Sequence, residues 1–276
     1  MCGIAGLVER KSHRSEMEVQ TRLRAMLKPL EPRGPDGEGS HISTGSGAWR
    51  AALGHRRLAI IGLESGRQPM GTADGRYWTT FNGEITNYRE LRQELIKESK
   101  TDFRTDSDVE VLLRAWQEWG PESVKRLNGM FAFAIWDSRE ECMTLVRDRF
   151  GIKPLYYHSR PNSQNAGTIY FSSDIRSLRA CPEVGRNIHT ESAHRFFSLG
   201  YIPGPRTVFE DIYQVPPASL VIWSASDLES GSEPVPRRYW NAPHPSVQTV
   251  SPEEVWWQLS EAVKRSRIAD VPVGHL

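Results

Sequence analysis

The chain opens on an apolar stretch, Cys2-Gly-Ile-Ala-Gly-Leu-Val8, which predicts a short strand beginning at the terminus itself. Val19, Leu23, Met26, Leu27 and Leu30 then recur at helical spacing, and Pro29 and Pro32 put the end of that helix near Lys28. Arg33-Gly-Pro-Asp-Gly37 carries turn chemistry. Short apolar runs predict strands around 48–54, 57–62 and 77–82. A second helix is better marked. Ser107 and Glu110 form a capping box, Val109, Leu112, Leu113 and Trp116 share one face, and Gly120-Pro121 stops it. Further strands are expected near 130–136, 142–147, 154–157 and 168–172. Strands dominate the first two-thirds, with helices inserted as units. That predicts an α+β layered architecture rather than a strict βαβ alternation.

The pattern changes at Ser224. Residues 224–250 are rich in Ser, Pro and Gly and read as a linker after a main domain spanning 2–223. Ser251 then caps a new helix with Pro252 in its first turn, and Val255, Trp256, Leu259, Ala262 and Val263 give it an apolar face. Val271-Pro-Val-Gly274 resembles the start of a buried strand. Residues 251–276 therefore read as the opening of a second domain, with the apolar helix face expected to lie exposed.

Composition narrows the function classes. A chain of 276 residues is one large domain or two smaller ones, and 38% hydrophobic with 25% charged residues is ordinary for a globular protein. A net charge of +1 without a basic block argues against a nucleic-acid partner. The longest strongly apolar run, Met130 to Trp136, is far below the roughly 20 residues of a membrane span, so no membrane partner is expected. Three cysteines without a CxxC pair argue for a reducing, cytoplasmic setting. The eight histidines have no paired metal spacing, so no metal site is expected.

Cys2 draws the first chemical reading. A cysteine in an apolar strand is ordinarily a small hydrophobe. If Met1 is removed, however, Cys2 carries a free α-amine beside its thiol, and one residue then holds both nucleophile and general base. Such a nucleophile needs an oxyanion hole. The Asn82 side-chain amide and the Gly83 N–H can supply one, although Asn-Gly alone is a strong hairpin-turn signal. Arg57 can grip a carboxylate with its planar fork. Asp108 can receive an ammonium or simply favour the helix dipole, and Glu84 is similarly ambiguous.

Together these residues resemble a known family. Met1-Cys-Gly-Ile-Ala-Gly6, Arg33-Gly-Pro-Asp36, His55-Arg-Arg-Leu58, Asn82-Gly-Glu84, Thr105-Asp-Ser-Asp108, Leu127-Asn-Gly-Met-Phe-Ala-Phe-Ala-Ile-Trp-Asp137, Phe171-Ser-Ser-Asp174 and Gly200-Tyr-Ile-Pro-Gly-Pro205 occur in that order. So does Arg147-Asp-Arg-Phe-Gly-Ile-Lys-Pro-Leu-Tyr-Tyr157, read as core and domain-contact structure rather than catalytic. The set is similar to the glutaminase half of glutamine-hydrolysing asparagine synthetases, which are class II glutamine amidotransferases. The resemblance implies a four-layer αββα N-terminal-nucleophile hydrolase fold built on two antiparallel sheets. It implies Cys2 as nucleophile, Asn82 and Gly83 as oxyanion hole, Arg57 for the carboxylate of L-glutamine, and Asp108 with Glu84 for its ammonium. Arg33 and Asp36 would support the site.

The resemblance also implies a synthetase domain or partner chain that uses ATP and Mg to amidate aspartate or a related carboxylate. The glutaminase itself would need no cofactor. Here Val271-Pro-Val-Gly274 is followed by His275-Leu276 rather than by the expected glycine-rich ATP loop, so no synthesis is expected from this chain alone. Thr86 replaces a usual Tyr, and Pro217-Ala-Ser replaces a frequent Pro-Gly at small expected cost. A catalytically silent docking module and a stand-alone γ-glutamyl amidohydrolase are the rival readings, and a homodimer is left open.

Overall fold

The structure is a computed structural model that describes residues 1–43, 47–63, 65–159, 168–243, 250–272 and 274. In chain order its elements are β1 (Gly3–Arg10), α1 (Glu16–Leu27), β2 (Gly37–Ile42), β3 (Trp49–Arg57), β4 (Met70–Gly71), β5 (Tyr77–Ile85), α2 (Tyr88–Ser99), α3 (Asp108–Trp119), β6 (Gly129–Asp137), β7 (Cys142–Arg147), β8 (Tyr156–Ser159) and β9 (Ile169–Ser172). They continue with α4 (Ile175–Leu178), α5 (Thr190–Leu199), β10 (Ile212–Gln214), β11 (Ser219–Trp223), α6 (Ala225–Ser230), β12 (Arg237–Arg238) and α7 (Pro252–Arg265).

Two antiparallel sheets result, ordered β10-β8-β9-β1-β3-β2 and β12-β11-β7-β6-β5-β4. Their central strands are buried on both faces, which is why they read as unbroken apolar runs. Alternation then assigns the layers. Ile4, Val8 and Leu53 of one sheet meet Ala134, Trp136 and Leu145 of the other. Ala5 and Leu7 face outward onto Val19, Leu23, Met26 and Leu27 of α1. Phe81, Ile85 and Phe133 of the second sheet face outward onto Leu91 and Leu95 of α2 and Leu112 and Trp116 of α3. The order is helix, sheet, sheet, helix, the expected αββα arrangement.

Several expectations need correcting. The strand expected over 57–62 is a loop after β3, because the carbonyls of Ile61, Gly62 and Leu63 accept from the Arg57 guanidinium instead of entering a ladder. Asn82-Gly83 is not a turn. It lies inside β5, opposite Ala132 and Phe131. The capping box at α3 is only half formed. Ser107 Oγ accepts from Glu110 N–H at 3.3 Å, but the Glu110 carboxylate takes the Arg104 and Thr105 amides. Ala218, where the family often has glycine, adopts φ +55°, a left-handed conformation costing an L-residue about 1 kcal/mol.

The expected linker over 224–250 is structured in its first part. Ser224 and Asp227 close a full capping box on α6, β12 pairs with β11, and the buried Tyr239 donates its hydroxyl to Arg147 O at 2.9 Å. Its residues 244–249 lie outside the described residues. In α7, Val255, Trp256, Leu259 and Val263 are all more than half exposed, as expected for an unpartnered face. No strand forms at Val271 or Pro272, and Val273 lies outside the described residues.

Candidate active site

Gly3 pairs with Arg56, so β1 and β3 run out side by side and bring Cys2 against the residue that follows β3. Cys2 Sγ accepts from Leu58 N–H at 3.3 Å, with Leu58 O 3.5 Å away. The Cys2 carbonyl accepts from Arg33 Nε at 3.2 Å. Asp36 is bonded at both ends to the chain around Leu58. Its N–H donates to Arg57 O at 2.9 Å, and its carboxylate accepts from Ala59 N–H at 2.9 Å. Arg33 and Asp36 therefore brace the backbone that carries and faces the thiol.

The opposite wall is the open edge of β5. Phe81 N–H on this edge donates to Gln68 Oε1 at 2.6 Å, and Ile85 N–H donates to Asp108 Oδ2 at 3.1 Å. By the two-residue period of a strand, Gly83 directs its N–H to the same edge, between those two capped positions. A Cβ on Gly83 would stand 2.3 Å from Met130 O, so no side chain fits there. Asn82 points the other way, into the space between the sheets, on the face where Thr80 reaches Gly54 O. It is 1% exposed, and its Nδ2 has no partner.

Cys2, Arg57, Asn82, Gly83, Glu84 and Asp108, assembled from four separate segments, line one cavity of about 200 Å³. Arg57 shapes its rim. Three of its five N–H groups, two on Nη2 and one on Nη1, hold the carbonyls of residues 61–63, which leaves Nε–H and one Nη1–H for a ligand. Gly62 turns the loop there at φ +59°. The chain after α7 returns to this loop: Asp270 N–H donates to Ile60 O at 2.9 Å, and its carboxylate accepts from Gly62 N–H at 2.8 Å.

The electrostatics suit an ammonium. Burial, with Glu84 nearby, pushes the Asp108 carboxyl up to about 7, and burial raises Glu84 as well. Glu84 Oε1 is buried without a partner. A cation between these two acids would restore their ionised forms. Burial raises the Cys2 thiol, while the Leu58 backbone bond and the terminal amine pull it back. Burial also lowers that amine, which belongs to Met1 in this chain. His55, buried beside Thr80, is pushed down to about 3 by burial and is a neutral spacer rather than an acid.

Residues 1–240 match the glutamine amidotransferase domain. The chain belongs to that family. Its amidotransferase domain is similar to asparagine synthetase [glutamine-hydrolyzing] 1 of Bacillus subtilis, at 34% identity over 99% of this chain and 41% of the relative. It is also similar to a putative asparagine synthetase [glutamine-hydrolyzing] 2 of Methanocaldococcus jannaschii, at 31% identity over 99% of this chain and 54% of the relative. The chain thus spans about half the length of these relatives. In fold it is similar to the glutamine phosphoribosylpyrophosphate amidotransferase of B. subtilis, with a TM-score of 0.57 and 18% identity over 87% of this chain and 49% of that one.

The amidotransferase domain also brings residues to the cavity that the sequence reading passed over: Gln68, Met130 and Lys153. Lys153 lies in the 147–157 stretch read as purely structural. Most of that stretch is indeed scaffold. The buried Asp148 carboxylate accepts from the amides of Phe131, Phe150, Ile152 and Lys153, and Arg147 binds the carbonyls of Gly151, Lys153 and Val215. Lys153, however, is 8% exposed and lines the cavity.

Proposed function

We propose that the amidotransferase domain hydrolyses L-glutamine to glutamate and ammonia through Cys2, once removal of Met1 has given Cys2 the free α-amine. The sulfur attacks the side-chain amide carbon, and its proton passes to the α-amine. The carbonyl oxygen becomes an oxyanion held by Asn82 Nδ2 and the Gly83 N–H. The amine returns the proton to the leaving nitrogen, ammonia departs, and a γ-glutamyl thioester remains. Water then attacks the thioester and glutamate leaves. Arg57 binds the α-carboxylate, and Asp108 with Glu84 binds the α-ammonium. No cofactor is needed, since every proton is moved by the amine.

The observation that carries this reading is the buried, unpartnered Asn82 amide in the wall of the cavity that holds Cys2. A buried donor without a partner costs about 1–3 kcal/mol, and an oxyanion removes that cost. The test is glutamate release from protein verified by mass to begin at Cys2, beside Cys2→Ala. Loss of release in Cys2→Ala supports the reading. No release from the processed parent refutes it in favour of a silent docking module. Faster cleavage of other γ-glutamyl amides than of glutamine favours the stand-alone amidohydrolase.

The ammonia is destined for a synthetase domain or partner that amidates aspartate or a related carboxylate with ATP and Mg, a reading supported by the similarity to asparagine synthetases. Residues 251–276 would open that domain, and its body would cover the apolar face of α7. Three free cysteines fit a cytoplasmic setting. No described helix is long and apolar enough to cross a membrane.

A further inference from the structure

We propose that Lys153 sets the charge of the reaction centre: its side chain, buried in the cavity wall, favours the ionised Cys2 sulfur and the neutral α-amine that attack requires. The proposal rests on the reading of Cys2 as nucleophile. The geometry argues for a placed cation rather than a stray surface lysine. One carboxylate oxygen, Asp148 Oδ2, accepts from both Lys153 N–H at 3.0 Å and Phe131 N–H at 3.2 Å. Phe131 is the register partner of Gly83. The lysine backbone is thereby tied to the strand pair that carries the oxyanion donors. Arg147 Nε holds the Lys153 carbonyl at 2.8 Å from the other side. The side chain lines the cavity with Cys2 and Glu84.

The charged groups that act on the thiol and amine are Arg33, Asp36, Arg57, Asp108 and Lys153, and those that act on Lys153 are Cys2, Glu84, Arg33 and Asp148. Arg33 and Arg57 are held on backbone carbonyls but keep their charge, Arg57 drawing the thiol and Arg33 the amine in the same direction as Lys153. Burial lowers the Lys153 ammonium from its usual value, and Cys2 and Glu84 draw it back toward the charged form. Lys153 in turn favours loss of the proton from the terminal amine and from Glu84. A fixed cation lowers the proton affinity of both partners in the nucleophile–base pair, which is the direction N-terminal cysteine chemistry needs near neutral pH.

The test is the rate of iodoacetamide alkylation at Cys2, read by peptide mass over a pH series, on protein beginning at Cys2. Parent, Lys153→Met, Lys153→Gln and Lys153→Arg are compared, with circular dichroism verifying the fold. Cys142 and Cys181, pushed up to about 11 and about 12, alkylate slowly and at distinct peptides. The neutral variants are expected to move the midpoint up by about one pH unit, a roughly tenfold slower reaction below it, and Lys153→Arg to restore the parent curve. A curve for Lys153→Met or Lys153→Gln that superimposes on the parent overturns the proposal. So does a Lys153→Arg variant displaced as far as the neutral ones. Glutamate release from the same samples tests the hydrolase separately, because alkylation needs no glutamine.

Discussion

Replacing Asn82 with Ala separates catalysis from stability. The Asn82 amide is enclosed between the sheets, and its Nδ2 meets no protein acceptor. Removing one preorganised oxyanion donor costs roughly 10²–10³ in kcat, about 2.7–4 kcal/mol. The donor engages only when the carbonyl oxygen becomes tetrahedral, so kcat and kcat/KM should fall together with KM little changed. Stability should behave differently. The Nδ2 donor bonds no protein acceptor, so deleting it breaks no hydrogen bond within the fold and costs only the packing of a small side chain at the cavity wall. With a net change within about 1 kcal/mol, the melting midpoint should move by no more than about 4 °C. Steady-state glutamate release and thermal unfolding on the same samples read both quantities. A kcat within threefold of the parent refutes the oxyanion role. A steep loss of melting temperature alongside activity shows instead that the amide holds the sheets together.

Further outcomes follow from the same site. The folded-state value of Asp108, about 7, lies above the ordinary 3.8, so the folded form binds its proton more tightly. Its contribution to stability is fully present below about pH 4 and is lost as pH rises to about 7. Asp108→Asn should flatten that part of a denaturation–pH series and raise the glutamine KM roughly tenfold or more, through loss of the charged ammonium partner. Arg57→Lys removes the fork that holds the carbonyls of residues 61–63 and should raise KM and expose the loop to limited proteolysis. Asp148→Ala strands four backbone amides and should cost about 3 kcal/mol or more in urea unfolding. Trp256→Glu with Leu259→Glu should lower dye binding and self-association by light scattering without lowering the melting temperature, because both side chains are exposed.

What was legible in the chain followed from local rules. Strands buried on both faces announce themselves as apolar runs, and α1 and α3 as apolar stripes, so the layered class was readable. α2 was missed although Tyr88, Leu91 and Leu95 lie on one face, because Asn87 makes no side-chain cap and nothing sharpens its start. The Ser224–Asp227 box was visible in the sequence, but the surrounding Ser, Pro and Gly read as linker, and only the long-range seat of Tyr239 against Arg147 shows otherwise. The loop at 57–62 looked like a strand because Leu58, Ile60 and Ile61 are apolar. One guanidinium reaching forward a few residues decided its shape. In the site, Cys2, Asn82 and Asp108 were readable by chemical type and order. Lys153 was not, because its meaning comes from a carboxylate that ties its backbone to a strand more than twenty residues earlier.

The match to the family ends at residue 240, but the bonds that hold the cavity's loop do not all come from within it. Asp270 fastens the loop at Ile60 and Gly62, and Ile268 beside it packs on the core beneath α2 and α3. The same loop carries Leu58, whose backbone touches the Cys2 sulfur. Asp270, a few residues beyond α7, is thus linked to the immediate surroundings of the thiol by two hydrogen bonds and the short chain from Ile60 back to Leu58. Excision at the family boundary would remove both of these bonds and leave the loop that faces the thiol without its anchor at Asp270.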